Sequence, residues 1–210
     1  KTCRIWKPDA LPSPGELDWN SFESIPLALV TGTNGKSTTV RMTASIMTAA
    51  GYSAGLTSTD FIRVGNRIVD TGDYSGTGGA RMLLRQTDVE AAVLEVARGG
   101  LLRRGLGVDH ADVAVVTNVA ADHLGEYGIN SVPELLPVKF IVRRALDEEA
   151  PLVLNADDEG IVAFAETLGE RIVWFSLNPE NPQLKKTLAK GGLACWLEEE
   201  WLVMSEGGRR

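Results

Sequence analysis

Short apolar runs alternate with longer segments of helical character through most of the chain. Four runs are apolar at every position: 27–30, 91–94, 113–116 and 152–154. Continuous apolar runs are typical of parallel strands that are buried on both faces. Residues 61–69, with Gly65-Asn66 at their centre, predict a β-hairpin. The predicted helices lie at 36–50, 78–86, 131–147 and 158–168. The alternation predicts an α/β domain with a mostly parallel sheet flanked by helices.

The two ends of the chain depart from this pattern. Residues 1–24 contain several prolines and no periodicity, so an irregular N-terminal arm is expected there. Near the other end, 183–190 predicts a short helix, and 194–197 with 201–204 predicts a terminal β-ribbon. The predicted organisation is an arm at 1–24, an α/β domain at 25–177 and a terminal β-ribbon of the same domain at 178–210.

Polar residues directly follow each of the four apolar runs. These polar groups are Thr31–Ser37, Glu95, Thr117-Asn118 and Asn155–Asp158. In open parallel sheets, ligands bind outside the carboxyl ends of the strands. The four groups therefore predict one shared binding site.

A glycine-rich loop joins the first predicted strand to the first predicted helix. Its residues are Gly32, Thr33, Asn34, Gly35, Lys36, Ser37 and Thr38. Backbone amides at the start of a helix bind phosphate oxygens, and the helix dipole favours the negative charge. In such a loop Lys36 would neutralise phosphate charge and Ser37 would ligate Mg²⁺. Val30 stands where the standard Walker loop has a glycine, so the loop alone leaves a kinase, a GTPase-like protein and a ligase open.

Three other groups at the strand ends have both a functional and an ordinary structural interpretation. Glu95 is suited to Mg²⁺, which prefers oxygen ligands, although a strand-end charge can also face solvent. His123 follows a strand end beside Asp122, which favours contact with a metal or phosphate. Asn155–Asp158 fits either a helix cap or recognition of a base and ribose.

Four residues are candidates for contact with an acyl substrate: Asp60, Ser75, Arg81 and Arg98. Arg81 is predicted to follow a glycine-rich loop at the start of a helix, where a guanidinium can hold a carboxylate through two hydrogen bonds. An exposed helical arginine is the alternative.

Composition narrows the class of protein. The 210 residues are 44% hydrophobic and 23% charged, which predicts a globular domain with a substantial core. The net charge of −7 disfavours a general nucleic-acid binder. No apolar run reaches the roughly 18 to 20 residues of a membrane span, and two cysteines without CxxC spacing favour a reduced, cytoplasmic protein. Because the first residue is Lys1, the chain is expected to be a piece of a longer protein.

The motifs occur together in the order found in the Mur ligase superfamily. The phosphate loop, Glu95, the block from Asn118 to His123, a following lysine and Asn155–Asp158 all resemble its central ATP-binding domain. Leu94–Arg103 is similar to the Mur-ligase-like part of the cyanophycin synthetase branch. The resemblance covers about residues 25–208.

The resemblance implies an ATP-dependent ligase that joins a carboxylate to an amine through an acyl phosphate. It implies that Lys36 holds the phosphates, that Ser37, Glu95 and His123 ligate Mg²⁺, and that Asn155 contacts adenine with Asp158 nearby. Lys139 resembles a lysine that several members carbamylate to hold a second Mg²⁺. Pro137 lies two residues before it, and a proline inside a helix kinks it, so the alternative for Lys139 is a solvated helical lysine.

The resemblance also bears on the extent of the chain. Members continue into a C-terminal Rossmann-like domain that closes over ATP and helps to bind the amine. This chain is expected to lack that domain and to show little activity in isolation. The alternatives are a nucleotide-binding module without ligase activity and a P-loop kinase or GTPase-like phosphotransferase.

Overall fold

The computed structural model describes residues 13–16, 24–121 and 124–207. Within these ranges ten strands form one sheet. They are β1 (Leu27–Thr31), β2 (Ala54–Thr57), β3 (Phe61–Val64), β4 (Arg67–Thr71), β5 (Ala91–Glu95), β6 (Val113–Val116), β7 (Leu152–Asn155), β8 (Ile172–Ser176), β9 (Leu193–Glu198) and β10 (Trp201–Glu206).

Six α-helices accompany the strands in the described ranges. They are α1 (Lys36–Ala49), α2 (Thr77–Leu84), α3 (Arg98–Arg104), α4 (Val132–Lys139), α5 (Glu159–Ala165) and α6 (Pro182–Ala189). Short 3-10 helices lie at Pro14–Glu16, Glu126–Gly128 and Phe140–Ala145. None of these described helices combines the length and the hydrophobicity needed to cross a membrane.

The sheet is parallel at its centre and antiparallel at both edges. The strand order is β10-β9-β8-β7-β6-β1-β5-β2-β3-β4. Every neighbouring pair from β9 to β2 is parallel, whereas β2-β3, β3-β4 and β9-β10 are antiparallel. Strand β1 lies between β5 and β6, so the loop that follows β1 is flanked by the ends of both neighbours. This placement assembles the candidate site.

The core is built on both faces of the sheet. On one face, Val40 and Ala44 of α1 belong to a buried cluster with Ala28, Val30 and Val93. The larger cluster contains buried residues of the other five helices and of the strands, with Leu29, Leu94 and Leu154 among them. Burying an aliphatic side chain of this size is worth about 1.5–3 kcal/mol. A strand end that emerges between two such layers is held rigidly.

The predicted fold class is confirmed. All four apolar runs form strands, and Gly65-Asn66 forms the turn of the β3-β4 hairpin. The terminal ribbon forms as β9 and β10, and β9 also pairs with β8, so the ribbon is the edge of the main sheet. Of the predicted arm, all but 13–16 and 24 lies outside the described residues.

One predicted helix was wrong in part, and three elements were missed. The helix predicted over 131–147 is α4 followed by a 3-10 helix, Phe140–Ala145. Strands β2 and β8 and helix α3 were not predicted. The sequence Ala-Gly-Leu-Thr of β2 is short and includes a glycine, and α3 begins Arg-Gly-Gly, which is a poor helical signal. Packing against neighbouring elements overrides these weak local preferences.

Candidate nucleotide-binding site

The loop between β1 and α1 depends on glycine at two positions. Gly32 has φ +141°, and a Cβ at this position would lie 2.0 Å from Oγ1 of Thr117. Gly35 caps α1 with φ +81°, a conformation that side chains other than glycine rarely adopt. Within the described residues, no side chain forms a capping hydrogen bond at the start of α1. The amides of its first turn are therefore available to a ligand, as in phosphate-binding loops.

The end of β6 holds this loop in place. The amide of Thr33 donates to the carbonyl of Asn118 at 2.9 Å, and the amide of Asn34 donates to Oδ1 of Asn118 at 2.9 Å. Oγ1 of Thr117 donates to the carbonyl of Asn34 at 2.7 Å. Two of the polar groups predicted to share a site are thus joined by direct hydrogen bonds.

Lys36 and Thr38 lie at the start of α1. Nζ of Lys36 donates to the carbonyl of Thr33 at 2.8 Å, so its side chain folds back over the loop. Lys36 is partly exposed and lines the large cavity described below. Thr38 is exposed in the first helical turn.

Glu95 is a buried carboxylate that is only partly satisfied. Its residue exposure is 2%, and Oε2 accepts a hydrogen bond from Oγ of Ser37 at 2.7 Å. Oε1 is buried and has no hydrogen-bond partner among the described residues. Ser37 Oγ also lies 3.2 Å from Oγ1 of Thr59. A buried acceptor without a partner is costly, and a hard cation beside Ser37 and Glu95 would satisfy it.

The donor set suits Mg²⁺ held together with a nucleotide. In the described part of the chain, no group of three or more His, Cys, Asp or Glu residues could hold a metal ion. Mg²⁺ commonly binds through one or two protein oxygens while phosphate and water complete its coordination. The pair formed by Ser37 and Glu95 fits that mode.

Lys139 is buried beneath the phosphate loop. Its residue exposure is 4%, and Nζ donates to the carbonyl of Gly32 at 2.8 Å. The alternative of a solvated helical lysine is therefore wrong. Pro137 does lie inside α4, which begins at Val132 with Pro133 in its first turn, yet the side chain of Lys139 still reaches the loop.

Asn155 and Asp158 connect the end of β7 to the end of β6. Nδ2 of Asn155 donates to the carbonyl of Thr117 at 3.0 Å. The carboxylate of Asp158 caps α5 through the amide of Ile161 and accepts from the amide of Val119 at 2.7 Å. The ordinary capping interpretation of this block is therefore realised. The same contacts also place both side chains beside the loop.

Asp157 connects the block to the segment after β8. Its carboxylate accepts from Oγ of Ser176 at 2.5 Å, the amide of Leu177 at 2.8 Å and Nδ2 of Asn181 at 2.9 Å. Burial by itself would raise the pKa of Asp157, but these hydrogen bonds together lower it below its usual value. Asp157 therefore has a structural role in holding this rim of the site.

A cavity of about 640 Å³ opens beside the phosphate loop. It lies against the starts of α2 and α3, where Gly76 and Gly100 are in close contact. Among the described residues, its charged lining residues are the basic Lys36, Arg98, Arg103, Arg104 and Lys139 and the acidic Asp73 and Glu126. Basic groups therefore outnumber acidic ones here, in a chain whose net charge is −7. This local excess of positive charge favours an anionic ligand.

Two of the four predicted substrate residues line this cavity. The side chain of Arg98 is 9% exposed and forms an ion pair with Glu126, Nη2 to Oε2, at 2.7 Å. Ser75 is buried, and its hydroxyl donates to Oδ1 of Asp73 at 2.6 Å. The other two lie elsewhere: Asp60 forms an exposed ion pair with Arg41.

Arg81 is the remaining predicted substrate residue. It is exposed in the last turn of α2, which begins at Thr77, and it does not line the cavity. Its predicted position at the start of the helix was therefore wrong by one turn. His123, predicted as a metal ligand, lies outside the described residues.

The sequence did not indicate the role of Glu126. It lies 28 positions after Arg98 in the chain, and only the fold brings the two together. Thr117 was read only as part of a strand end, yet its hydroxyl fixes the loop through Asn34 and lies where a Cβ of residue 32 would fall. Glu126 lies three positions after the predicted ligand His123, and this proximity is the signal that could have suggested it.

Characterised ligases are similar in sequence to most of this chain. Cyanophycin synthetase from Synechocystis sp. is 43% identical over 183 residues, which cover 87% of this chain and 21% of the relative. The chain thus spans about a fifth of the length of this relative.

Solved structures match the fold. FolC from E. coli in complex with DHPP and ADP aligns with a TM-score of 0.59 and 23% identity, over 86% of this chain and 46% of that chain. A bifunctional folylpolyglutamate synthase/dihydrofolate synthase with Mn, AMPPNP and L-glutamate bound also aligns with a TM-score of 0.59, at 21% identity over 88% and 47% of the two chains.

The family model named Mur ligase middle domain matches residues 30–195. That range includes the phosphate loop, Glu95, Lys139 and Asn155–Asp158. It also contains the end of β1, the six described α-helices and most of the sheet. The chain therefore belongs to the Mur ligase family, an ATP-dependent amide ligase family, as a homologue of cyanophycin synthetases.

Proposed function

We propose that this chain is the central ATP-binding domain of a ligase that forms an amide from a carboxylate and an amine through an acyl phosphate. The observation that carries the proposal is the pair formed by Ser37 and Glu95 at the phosphate loop. Its hydroxyl and carboxylate are 2.7 Å apart, and the second carboxylate oxygen is buried without a partner among the described residues.

The phosphate loop binds the triphosphate in this proposal. The uncapped first turn of α1 supplies backbone amides, and Lys36 supplies a cation that exchanges its contact with the Thr33 carbonyl for a phosphate oxygen. Lys139 supports the loop from below through the Gly32 carbonyl. Fixed donors of this kind stabilise charge that develops during phosphoryl transfer.

Ser37, Glu95 and His123 hold Mg²⁺ in this proposal. The ion supplies charge neutralisation at the transferring phosphoryl group when it is bound. A solved structure of the same fold, from a folylpolyglutamate synthase/dihydrofolate synthase, has Mn and AMPPNP bound, which supports a divalent ion and a nucleotide at this type of fold. Carbamylation of Lys139 is suggested by the family resemblance alone and stays a proposal.

Asn155 and Asp158 form the adenine side of the site in this proposal. Their positions beside Thr117 and Val119 put them next to the loop segment that Asn118 anchors. One amide hydrogen of Asn155 is used in its contact with Thr117. The other is the group that we assign to base recognition.

The acyl substrate occupies the cavity beside the loop in this proposal. Arg98 binds its carboxylate and Ser75 lies nearby, whereas Asp60 and Arg81 are too peripheral to be retained in this role. The substrate carboxylate attacks the γ-phosphate and becomes an acyl phosphate as ADP leaves. The amine then attacks the acyl carbon, and an amide and inorganic phosphate are released. The relationship to cyanophycin synthetases favours an aspartate- or peptide-like acyl substrate, with arginine or lysine as the amine.

Isothermal titration of the chain with AMPPNP, with and without Mg²⁺, tests the nucleotide site. We expect Mg²⁺-dependent binding that Lys36→Ala weakens at least about tenfold, or about 1.4 kcal/mol. Lys190→Ala is the matched control, because Lys190 is exposed beyond the end of α6. Equal binding by the wild type and Lys36→Ala, or no binding by either, would refute the proposed nucleotide site in this chain.

A further inference from the structure

The outer edge of β10 lacks the features that usually protect an edge strand. β10 pairs with β9 over six consecutive residues without a register shift, and no other described strand pairs with it. Its sequence, Trp-Leu-Val-Met-Ser-Glu, contains no proline and one charge, at its last residue. The unpaired amides and carbonyls of an edge strand pair readily with another strand unless charges, prolines or bulges prevent it. β10 is therefore open to pairing along its outer side.

The opposite edge of the same sheet is protected. β4 carries Arg67 and Asp70 within five residues, and its pairing with β3 shifts register between Ile62 and Arg63. Charges and bulges of this kind discourage pairing with a further strand. The two edges of the sheet thus differ in the property that controls strand pairing, and β10 is the edge whose composition favours it.

Large apolar side chains are exposed along β10. The exposed fractions are 75% for Trp201, 89% for Leu202 and 63% for Met204. Leu202 and Met204 lie on one face of the ribbon, where they are opposite Leu197 and Cys195 of β9. At about 200 Å² for a fully exposed large side chain, the three expose roughly 450 Å² in each copy of the chain. Contiguous apolar surface of this size is typical of an interaction site.

We propose that β10 pairs in antiparallel orientation with β10 of a second copy, so that one sheet continues through both copies. The two-fold axis passes beside Val203, which is opposite its own equivalent, and Leu202 is opposite Met204 of the second copy. A two-fold contact of this kind is the commonest arrangement of homodimers. Because directly opposite residues point to the same face, Leu202 and Met204 of both copies form one continuous apolar stripe.

The pattern of β10 favours a second copy of this chain over an unrelated partner. Apolar residues of similar size flank Val203 on both sides, so the strand is complementary to itself when it is reversed. A shift of one residue would turn the second copy over and separate the two apolar stripes onto opposite faces. The two copies together offer roughly 900 Å² of exposed apolar side chain, which is less than the standard interface of about 1,200–2,000 Å². Main-chain hydrogen bonds between the strands add to this, so we expect a weak dimer with a Kd of about 10–100 μM.

The proposed register has one unfavourable contact, which makes it testable. Glu206 of each copy is opposite Glu200 of the other, and both residues are exposed. Like charges directly opposite each other on two strands are destabilising, whereas opposite charges are stabilising. The two-fold symmetry makes the contact occur twice. Reversing the charge at residue 206 should therefore tighten the dimer in this register.

The paired edge lies away from the candidate nucleotide site. Five strand positions separate β10 from β1 in the sheet, which is roughly 24 Å at about 4.8 Å per position. The phosphate loop follows β1, so pairing through β10 leaves the loop accessible in both copies. The inference thus concerns a surface that the proposed function does not use, and its test is independent of nucleotide binding.

Sedimentation velocity of the chain at about 5–500 μM measures the association. We expect the average mass to rise with concentration from that of one chain toward that of two. Leu202→Lys should raise the Kd at least about tenfold, because it puts a charge in the middle of the paired edge. Leu202 is so exposed that the substitution leaves the packing of the core unchanged. Ile68→Lys is the matched control, because Ile68 is exposed on β4 at the opposite edge. A chain that stays monomeric throughout, or a Kd that Leu202→Lys raises no more than Ile68→Lys does, would overturn the proposal.

Charge reversal at the end of β10 tests the register. Glu206→Lys should lower the Kd about fivefold, because two repulsive contacts become attractive. Glu149→Lys makes the same change of charge at an exposed turn and should alter the Kd less than about twofold. Adding Glu200→Lys to Glu206→Lys places like charges opposite each other again and should return the Kd to about the wild-type value. Equal gains from Glu206→Lys and Glu149→Lys, or a gain that Glu200→Lys does not reverse, would also overturn the proposal.

Discussion

Replacing Glu95 with glutamine should stabilise the ligand-free protein and weaken its response to nucleotide. The Glu95 carboxylate is 2% exposed, with Oε2 bound to Ser37 and Oε1 without a partner among the described residues. Glutamine keeps an oxygen for the Ser37 hydroxyl and removes the buried charge. If the carboxylate is retained for Mg²⁺ binding, then burying it lowers the free energy of unfolding of the ligand-free protein. The variant removes this loss of stability.

The size of the effect follows from removal of an incompletely paired buried charge. Such a group costs about 1–3 kcal/mol, and the glutamine amide offsets part of the gain because its two N–H donors need acceptors of their own. We therefore expect the free energy of unfolding to rise by about 1–2 kcal/mol. For a chain of this size that corresponds to an increase in Tm of roughly 2–8 °C. A surface substitution typically stays within about 0.5 kcal/mol.

Thermal unfolding with and without Mg²⁺ and AMPPNP measures both effects. A ligand at 100 times its Kd stabilises a protein by about 2.7 kcal/mol, so saturating ligand should make the wild type gain more than Glu95→Gln. Glu200→Gln is the control, because Glu200 is exposed in the turn between β9 and β10. A Glu95→Gln protein that is less stable than wild type without ligand, or that gains as much from ligand, would refute this account.

Two further predictions concern the loop and its rim. Gly32→Ala should destabilise the protein by more than about 2 kcal/mol in urea unfolding, because its Cβ would overlap Oγ1 of Thr117 and its φ is +141°. The control Gly78→Ala should not destabilise the protein in this way, because Gly78 has open space around it in α2. Equal losses of stability in the two variants would contradict the steric argument. Asp157→Asn should lower stability at pH 7. Since the folded-state pKa of Asp157 is lowered, the stabilisation by its carboxylate is present above the ordinary pKa of 3.8 and is lost as pH falls through the folded-state pKa. Urea unfolding from pH 7 to pH 3 measures the difference in free energy of unfolding between wild type and Asp157→Asn, which should become smaller below about pH 4. The control variant Asp109→Asn should show no such difference. A difference that stays constant with pH would rule out the titration of Asp157 as its cause.

The parts of the fold that could be predicted are those with strong local signals. The run 27–30 and its neighbours are apolar at every position, and Gly65-Asn66 is a specific turn signal. Helix α3 and strand β2 have weak local signals and form because neighbouring elements bury them. Leu101 of α3 is 5% exposed and Leu56 of β2 is fully buried. Tertiary packing of this kind is not visible in a single sequence.

The candidate site, like the fold, could be predicted only in part from the sequence. The rule that ligands bind at the carboxyl ends of parallel strands predicted that the loop, Glu95 and Asn118 would converge, and hydrogen bonds link the loop to both residues. The rule specifies strand ends and cannot specify side-chain partners. Arg81 and Arg98 had similar signals, yet one is exposed on α2 and the other lines the cavity.

The carboxylates Glu95 and Glu126 have opposite surroundings at this site, and the contrast fits the two anions that the proposed ligase must bind. Glu95 is buried beside the loop with one oxygen unpaired, an arrangement that attracts a cation. Glu126 is exposed and forms an ion pair with the largely buried guanidinium of Arg98. A ligase of the proposed kind must bind a metal-bound polyphosphate and a carboxylate side by side without letting the two anions repel each other. Placing a buried carboxylate on the nucleotide side and a buried guanidinium on the cavity side separates these two requirements. It follows that Glu95→Gln should weaken nucleotide binding far more than binding of a substrate carboxylate in the cavity.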